Sequence, residues 1–525
     1  MTSRIAILVL ASSIDVAAQP AQPVAAKEGS AAEVTEPAAE PGPEPVDEEA
    51  ASGSAKQLVA PTEPKARATW LTEHLSGAIV AHATLAKAKI GVAIWDVHTN
   101  SELFAHEPDR GMNLASNTKL LTSTAALATL GSGFRWRTAV YADGLDDKTG
   151  KITGDLYLRG RGDPVLSKAD LDQLAADLQA RGVREITGSL VVDGTYFDGV
   201  TEPPHFGEQP KERAAFRAPI AALGVARSSV TITVIGEPGG TGKVLLDPDA
   251  GDYVRVTKSE VKTITEGRTR IKIDAKPKGD HLAVEVSGKI NVAGGSFDTR
   301  KRVDDPAKFC ARVFEESLAS HDIKIGKRIT AGAVPPVAKI LAWHDSPALS
   351  TVLRAMNKES DNYIAESVLK TLGAETRATP GPGTWEDGVS AVRKYLLTIG
   401  VNGYRADNGS GLFNASEVSP HQLVQILRAA HKDYRIGPDL VSSLPTGGVD
   451  WTLARRWKDH AARGRVRAKT GTLNNVVSLA GYVGVDSEHE LAFAIVVNDI
   501  PQGQRAAARA MGDEMIDALV AYLGP

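Results

Sequence analysis

The sequence predicts an α/β protein of the α+β type, with an antiparallel sheet flanked by helices. Apolar runs bounded by turn residues predict a strand over 90–96 and a return strand over 102–105 near the start of the folded sequence. Two further runs predict strands over 476–485 and 491–498 near its end, and they close the sheet. Helical patterns lie between the two strand pairs and after the second pair, so helices should cover the sheet.

The composition is that of a soluble globular protein. The chain has 525 residues, 42% of them hydrophobic and 24% charged, which is too long for one ordinary domain. A net charge of −4, without a basic cluster, gives no reason to expect a nucleic-acid partner. The single cysteine, Cys310, excludes an internal disulfide framework and a cysteine metal cluster. It lies on the apolar face of a predicted helix and is expected to be a buried structural thiol.

The first residues predict export from the cytoplasm. Arg4 precedes an apolar run over 5–11, and small residues follow at Ala17 and Ala18, which is the pattern of a signal peptide over 1–18. No other segment approaches the ~20 apolar residues that span a bilayer, so the mature chain is expected to lack a transmembrane segment and to be periplasmic or otherwise exported. Residues 19–65 are mostly Ala, Pro and Glu and predict a disordered acidic linker.

The middle of the chain differs from its ends in predicted secondary structure. Short β-like runs dominate from 135 to 336, with helices predicted only over 168–179 and 306–320. After 336 helices return, first with Ser346 as an expected N-cap for a helix reaching 357, and then in the segments 362–372, 384–397, 420–431 and 504–523. We therefore expect a catalytic domain over 66–134 and 337–525, an inserted accessory domain over 135–225 and 298–336, and a nested strand-rich accessory domain over 226–297.

Three short strings carry the chemistry, in this order along the chain. Ser116 stands three residues before Lys119 at the start of a helical run, Ser360-Asp361-Asn362 lies between two predicted helices, and Lys469-Thr470-Gly471 precedes the strand over 476–485. Each string is common by itself. The ordered set in suitable contexts is typical of a serine acyl-transfer site.

The spacing of Ser116 and Lys119 suits a nucleophile and its base. Residues i and i+3 share one face of a helix, so the two side chains point the same way. Serine needs a base within hydrogen-bond reach, and lysine can act as one only if burial and a nearby cation lower its pKa. Lys469 would be that cation if it converges on the site.

Each string also has a structural interpretation. The chain contains a second Ser-x-x-Lys at Ser259 and a second Lys-Thr-Gly at Lys148, and both lie in polar or turn sequence that predicts no catalytic role. Ser360 or Asn362 could simply cap the following helix. In the functional interpretation, the Ser360 hydroxyl passes a proton to the leaving amine and Asn362 binds the substrate backbone.

The Lys-Thr-Gly string could likewise be a solvated edge strand. In the functional interpretation, Lys469 and Thr470 hold a substrate carboxylate, and Gly471 lets a substrate strand lie against the backbone. The N–H groups of Ser116 and Thr472 then form an oxyanion hole, where one donor contributes roughly 3–4 kcal/mol.

With these strings, the chain resembles the penicillin-binding proteins and serine β-lactamases. The long stretch between Lys119 and Ser360 is similar to that of the D-alanyl-D-alanine carboxypeptidase/endopeptidase family, the class C low-molecular-mass penicillin-binding proteins. Further stretches that agree with this family begin at Gly154, Gly162, Gly188, Ala218, Asp407 and Gly448.

The resemblance implies a penicilloyl-transferase fold with nested accessory domains. It implies cleavage of D-Ala-D-Ala bonds and D-alanyl cross-links of peptidoglycan stem peptides, without a metal or cofactor, and acylation of Ser116 by β-lactams. It also makes Asp193 a candidate substrate-binding residue. One departure concerns specificity: the family commonly has Ser-Arg where this chain has Phe413-Asn414, and that arginine is associated with a carboxylate of the stem peptide.

Two other functions remain open at this point. A serine β-lactamase needs an efficient deacylating base, and the sequence alone assigns no glutamate to that role. A non-catalytic cell-wall binding module is a different class of protein, but binding alone requires no Ser-Lys pair.

Overall fold

The computed structural model describes residues 58–486 and 489–524. The predicted signal peptide and most of the predicted linker lie outside the described residues. Within them, no helix combines the length and the apolar character needed to cross a membrane. The first helix starts at Pro64, just inside the predicted linker, where the Glu63 carboxylate accepts the N–H groups of Lys65 and Ala66.

The α-helices of the described residues are, in chain order, α1 Pro64–Ala81, α2 Thr118–Leu130, α3 Lys168–Ala180, α4 Pro306–Ser320, α5 Leu349–Lys358, α6 Asn362–Thr376, α7 Trp385–Thr398, α8 Pro420–Lys432, α9 Gly437–Ser443 and α10 Arg505–Leu523. The strands are β1 Lys89–Asp96, β2 Ser101–His106, β3 Arg137–Ala142, β4 Leu145–Asp146, β5 Lys151–Ile152, β6 Leu156–Arg159, β7 Glu185–Ile186, β8 Leu190–Asp193, β9 Ser229–Ile235, β10 Lys243–Asp247, β11 Val254–Ile264, β12 Arg270–Lys278, β13 His281–Asn291, β14 Ser296–Arg302, β15 Lys324–Ile325, β16 Ile329–Ala331, β17 Lys339–Asp345, β18 Arg405–Ala406, β19 Ser416–Glu417, β20 Val466–Leu473, β21 Val476–Gly484 and β22 Glu490–Asn498.

The two ends of the chain meet in one five-stranded sheet. Its order is β2-β1-β22-β21-β20, and every neighbouring pair is antiparallel. Strand β1 pairs with β22 along its whole length, with Ala93 opposite Ala494. The predicted strand pairs at the two ends of the folded sequence therefore do form a single antiparallel sheet.

Helices cover both faces of this sheet because its side chains alternate between two apolar clusters. Phe493 and Ile495 pack in the cluster that contains α1 and α10, whereas Ala494 and Val496 belong to the cluster built from α2 and α5–α8. The predicted apolar stripe of α10 includes Met511 and Met515, and both are fully buried. The packing of these layers fixes the position of α2, and Ser116 lies in the turn directly before this helix.

The segment between α2 and α5 forms other sheets. A second five-stranded sheet has the order β16-β8-β6-β3-β17. The middle of the segment forms two three-stranded sheets, β10-β9-β14 and β11-β13-β12. An apolar cluster made only of residues between Val140 and Ala342 joins them. We call residues 135–336 the insert, and its division into accessory domains stays a prediction. Strand β17 lies beyond this segment, yet it pairs with β3 and extends the second sheet to Asp345.

One local prediction is wrong. Ser346 does not cap the helix that follows it, because α5 begins at Leu349 with Ala348 at the N-cap position. Instead, the Ser346 hydroxyl accepts the backbone N–H of Trp136 at 3.0 Å, a residue far away in sequence.

Candidate active site

Ser116 lies in a tight turn that leads into α2. Residues Ala115–Asn117 form one 3₁₀ turn, and Ala115 has φ of 48°, in the left-handed region. The turn is fixed to the central sheet by Ser478 of β21, whose hydroxyl donates to the carbonyl of Leu114 and accepts from the Asn117 amide, both at 2.7 Å. The nucleophile candidate is therefore held on a rigid element while its own side chain stays half-buried.

Lys119 is fully buried one turn further along. Its Nζ lies 3.0 Å from Ser116 Oγ, 2.7 Å from Asn362 Oδ1 and 3.1 Å from the carbonyl oxygen of Ser410. Burial lowers the pKa of Lys119 well below its usual value, and the nearby cation of Lys469 lowers it further. The predicted spacing thus places an amine that readily gives up its proton in contact with the serine hydroxyl.

The Ser-Asp-Asn string forms the tight turn between α5 and α6. Ser360 has φ of 60°, and its Oγ lies 2.8 Å from Lys469 Nζ. The cap of α6 is Asp361, whose carboxylate accepts the N–H of Ile364 at 2.9 Å. Neither Ser360 nor Asn362 is needed as a cap, so the capping interpretation of these two residues is wrong and both side chains face the buried lysines.

The Lys-Thr-Gly string lies on β20, at the edge of the central sheet. Lys469 is fully buried, and the buried Thr470 hydroxyl has no hydrogen-bond partner among the described residues. A Cβ at Gly471 would overlap the Ser478 hydroxyl and come within 3.1 Å of the Ser116 backbone nitrogen. Only glycine lets β20 approach the serine turn this closely. The three strings therefore meet in one cleft.

Glu366 and the loop after β18 complete the cleft, and the sequence analysis did not identify their roles. Glu366 is fully buried, and its carboxylate accepts the N–H groups of Gly409 at 3.0 Å and Ser410 at 2.9 Å, and the Trp385 indole at 3.0 Å. These bonds aim the carbonyl of Ser410 at Lys119. A signal existed, because Glu366 follows Asn362 by four residues and so shares its helix face.

An apolar wall with a buried arginine stands beside the serine turn. Phe413 has φ of 63° and packs edge-on against Phe206 of the insert, with ring centroids 5.9 Å apart. The guanidinium of Arg217 lies over both rings and donates to the carbonyl of Phe206. Phe413 thus replaces a polar family residue with a buried ring, whereas Asn414 is exposed.

A cavity of about 560 Å³ opens beside the wall rather than over Ser116. Asn113, Asn414 and Leu473 line it together with charged side chains at its rim. Arg405 belongs to this rim and donates to the backbone carbonyl of Asn414 at 2.9 Å. The exposed Asn414 therefore faces a space large enough for a side chain of a ligand.

Asp193 lies apart from these residues, at the end of β8 in the insert. One of its oxygens accepts the backbone N–H and the hydroxyl of Thr195 at 3.0 and 2.6 Å, and the other accepts the N–H of Val334 at 2.9 Å. The side chain is almost fully buried. No contact within the described residues joins it to the cleft, and its role in substrate binding stays a prediction.

The residues that the sequence analysis set aside lie away from the cleft. Ser259 is exposed on β11, and Lys148 lies in a turn formed around the Asp146 carboxylate. Cys310 is fully buried on α4, and burial raises the pKa of its thiol to about 12. The prediction of a structural thiol is confirmed.

The chain is similar to known D-Ala-D-Ala carboxypeptidases over most of its length. A family model described as the D-Ala-D-Ala carboxypeptidase 3 (S13) family matches residues 71–520. The D-alanyl-D-alanine carboxypeptidase of Actinomadura sp. (strain R39) is 34% identical over 455 residues, 82% of this chain and 82% of that protein. The D-alanyl-D-alanine carboxypeptidase DacB of Haemophilus influenzae is 24% identical over 422 residues, 79% of this chain and 86% of that protein.

A solved structure has the same architecture. The crystal structure of penicillin binding protein 4 (dacB) from Haemophilus influenzae superimposes with a TM-score of 0.69 and 22% identity, covering 83% of this chain and 97% of that one. A second structure of that protein, complexed with a novel β-lactam, gives a TM-score of 0.65 over 84% and 98% of the two chains. This likeness confirms the fold class predicted from the sequence.

Proposed function

The chain belongs to the D-Ala-D-Ala carboxypeptidase 3 (S13) family, and we propose that Ser116 is its nucleophile and Lys119 the base that activates it. The predicted activity, that of a serine-type D-Ala-D-Ala carboxypeptidase, is confirmed at the level of the family. We further infer the residues that carry out the reaction, a cell-wall substrate and sensitivity to penicillin.

The observation that carries the proposal is the set of partners of Lys119. Among the described residues its Nζ contacts only neutral oxygens, those of Ser116, Asn362 and Ser410, at 2.7–3.1 Å. A buried lysine without a carboxylate in contact gives up its proton readily, which a base requires. The arrangement therefore suits proton abstraction from Ser116 better than a structural ion pair.

The reaction proceeds in two stages. Ser116 Oγ attacks the carbonyl carbon of the penultimate D-Ala while its proton passes to Lys119, and an ester to the enzyme forms as the C–N bond breaks. Ser360, hydrogen-bonded to Lys469, delivers a proton to the departing amine and is reprotonated by the proton that Lys119 took, so that Lys119 is again a neutral base. Water then attacks the ester, and its proton returns through Lys119 as the Ser116 hydroxyl is restored.

The remaining predicted residues bind the substrate. The unpartnered hydroxyl of Thr470 and the ammonium of Lys469 suit the terminal carboxylate, and the Asn362 amide suits the substrate backbone. Gly471 lets the substrate backbone lie close to β20, and the N–H groups of Ser116 and Thr472 stabilise the oxyanion. β-Lactams would acylate the same serine.

Location and substrate follow from the same reasoning. The predicted signal peptide over 1–18 and a peptidoglycan stem peptide as substrate both support a location outside the cytoplasm. The cross-link between two stem peptides is an amide of a D-alanyl carbonyl. Endopeptidase action on this amide therefore uses the same cleft. The insert, with its own apolar cluster, is proposed to form the accessory domains.

The β-lactamase alternative needs a carboxylate that activates the deacylating water. Glu366 is the buried acid nearest in sequence to Asn362, and both its oxygens already accept N–H groups of Gly409, Ser410 and Trp385. Glu366 is therefore a structural group here and does not support fast turnover of β-lactams.

The test is acylation by penicillin, measured by mass spectrometry on the intact protein, together with release of D-Ala from a peptide that ends in D-Ala-D-Ala. The wild type should form one adduct and release D-Ala, and Ser116→Ala should do neither. Ser259→Ala is the matched control, because it alters the exposed serine of the second Ser-x-x-Lys and should behave as wild type. Adduct formation or cleavage by Ser116→Ala would end the assignment.

A further inference from the structure

An arginine of the insert holds the loop that carries Ser360. Nη1 of Arg227 lies 2.6 Å from Oε2 of Glu359 and 2.8 Å from Oδ2 of Asp361. These two carboxylates are the residues directly before and after Ser360. The three charged side chains are between 14% and 27% exposed, so solvent screens their attraction only in part.

Both sides of this contact have unfavourable backbone conformations. Ser360 has φ of 60°, and Arg227 lies in the middle of three residues, 226–228, with φ of 50°, 56° and 49°. Non-glycine residues in this region cost of order 1–3 kcal/mol each and persist only where their surroundings hold them. The ion pairs between the two strained turns provide such a restraint.

Asp361 connects this restraint to α6. Its Oδ1 accepts the N–H of Ile364 at 2.9 Å and caps the helix, while its Oδ2 binds Arg227. One carboxylate therefore ties the loop to the helix on one side and to the insert on the other. Without the cation, the hydrogen bonds of the Asp361 carboxylate within the described residues would be reduced to the helix cap.

The insert also contacts the two residues that follow. The Asn362 amide donates to the carbonyl of Phe216 at 3.2 Å, and the Tyr363 hydroxyl lies 3.3 Å from Ser228 Oγ. Residues of the insert thus bind both neighbours of Ser360 and the next two side chains. Ser360 itself is left to face Lys469.

We propose that Arg227 is a positioning residue that, through Glu359 and Asp361, holds the Ser360 hydroxyl against Lys469 for proton transfer to the leaving group. This inference rests on the proposed function of the Ser116 cleft. Nothing in it requires Arg227 to touch the substrate, so its effect should fall on the chemical step rather than on binding.

The test compares Arg227→Met with Arg227→Lys in the full chain. Because small displacements of catalytic groups cost one to two orders of magnitude, Arg227→Met should lower kcat for D-Ala release by about tenfold with little change in KM. Arg227→Lys keeps a cation and should recover most of the loss. Arg213→Met is the matched control: Arg213 is equally buried and forms a bidentate ion pair with Asp304 at 2.6 and 2.7 Å inside the insert.

The pH profile of kcat/KM separates positioning from a general loss of structure. The charges that act on Lys119 are Lys469, Asp361 and Glu366, and Arg300 of the insert also lies near Asp361. Since Asp361 raises the pKa of Lys119, removing its cationic partner should move the rising limb of the profile to higher pH. Arg227→Lys and Arg213→Met should leave the limb where it is.

The possible failures are distinguishable. Absence of a penicillin adduct on the wild type would refute the proposed function itself. A wild type that acylates, with Arg227→Met indistinguishable from Arg213→Met in kcat and in pH profile, would refute the role of Arg227 alone. If Arg227→Met does not fold, Glu359→Gln carries the test, because it removes one ion pair and keeps the helix cap; an unchanged kcat there would overturn the inference.

Discussion

Two regions of this enzyme bury lysines in different ways. In the cleft, Lys119 and Lys469 are fully buried and contact hydroxyl and carbonyl oxygens, with an amide oxygen added at Lys119. Two turns further along α6, Lys370 is equally buried but binds the carboxylate of Asp198 and lies 4.0 Å above the ring of Trp385. Lys119 and Lys370 thus have opposite kinds of partner.

The partners of a buried lysine decide whether it can act as a base. Burial lowers the pKa of both Lys119 and Lys370. At Lys370, Asp198 acts against this change, whereas at Lys119 the cation of Lys469 adds to it. A partner carboxylate therefore favours the protonated form of Lys370, and the lack of one in contact with the Lys119 amine within the described residues favours its neutral form, which a base requires.

The largest effect should come from removing the amine of the cleft. Lys119→Met should slow acylation by penicillin by about 10²- to 10⁴-fold, because serine loses its base. Lys370→Met should leave acylation per folded molecule unchanged and lower the melting temperature, because Asp198 loses its cation. Stopped-flow acylation and thermal melts measure the two outcomes, and equal acylation losses would contradict the comparison.

Asn362→Asp would give Lys119 the kind of partner that Lys370 has. A carboxylate 2.7 Å from Nζ should raise the pKa of Lys119, so the rising limb of kcat/KM should move by one or more pH units to higher pH. At neutral pH the loss should be about tenfold or more, since one unit is a factor of ten. Asn362→Ala is the control: it loses the same hydrogen bond without adding charge, and an upward shift in that variant would exclude the electrostatic explanation.

The same comparison predicts a gain in stability from loss of the base. The folded pKa of Lys119 is lowered from 10.5, so between that lowered pKa and 10.5 the unfolded chain binds more protons and the stability of the wild type rises with pH. Lys119→Met removes this penalty and should stabilise the fold at neutral pH by ~1–2 kcal/mol. The difference from wild type should shrink as pH approaches 10.5; urea unfolding at several pH values measures it, and a constant difference would be inconsistent with the lowered pKa.

The smallest effect, a change in KM, should come from adding a cation at position 414. Asn414→Arg restores the residue type that the family commonly has beside the cavity, where Arg405 already donates to the Asn414 carbonyl. KM should fall by roughly threefold for stem peptides whose side chain ends in a carboxylate, as one exposed ion pair adds less than 1 kcal/mol. Asn414→Gln should leave KM unchanged, and an equal change for peptides with neutral side chains would show that charge is not the cause.

The elements that the sequence predicts well carry their own local signals. Helix α4 matches its prediction at both ends. Its start is marked locally, because Asp305 accepts the N–H of Lys308 and Pro306 occupies the first helical position. Strands β1, β2, β21 and β22 of the central sheet and the pairing of Ser116 with Lys119 follow likewise from periodicity and spacing over a few residues.

What the sequence does not reveal depends on distant contacts. Ser346 has the pattern of a cap, but its hydroxyl is taken by Trp136. Arg227 and Glu359 are separated by 132 positions, and nothing near either residue indicates that they meet. The backbone partners of Glu366, Gly409 and Ser410, are likewise more than 40 positions away. Such roles require the tertiary structure because the residues involved have no local pattern.

The pairing of β3 with β17 determines where this enzyme can lose or duplicate the segment between these strands. Arg137 and Asp345 lie opposite each other with a bidentate ion pair at 2.7 and 2.8 Å, and the Ser346 N–H donates to the carbonyl of Trp136 at 2.9 Å. The chain therefore leaves the helical layer and returns to it only about 5 Å apart, one strand spacing. Evolution could delete or duplicate everything between these two points in one step without breaking the central sheet, but a deletion would also remove Arg227 and leave the Ser360 turn without its outer support.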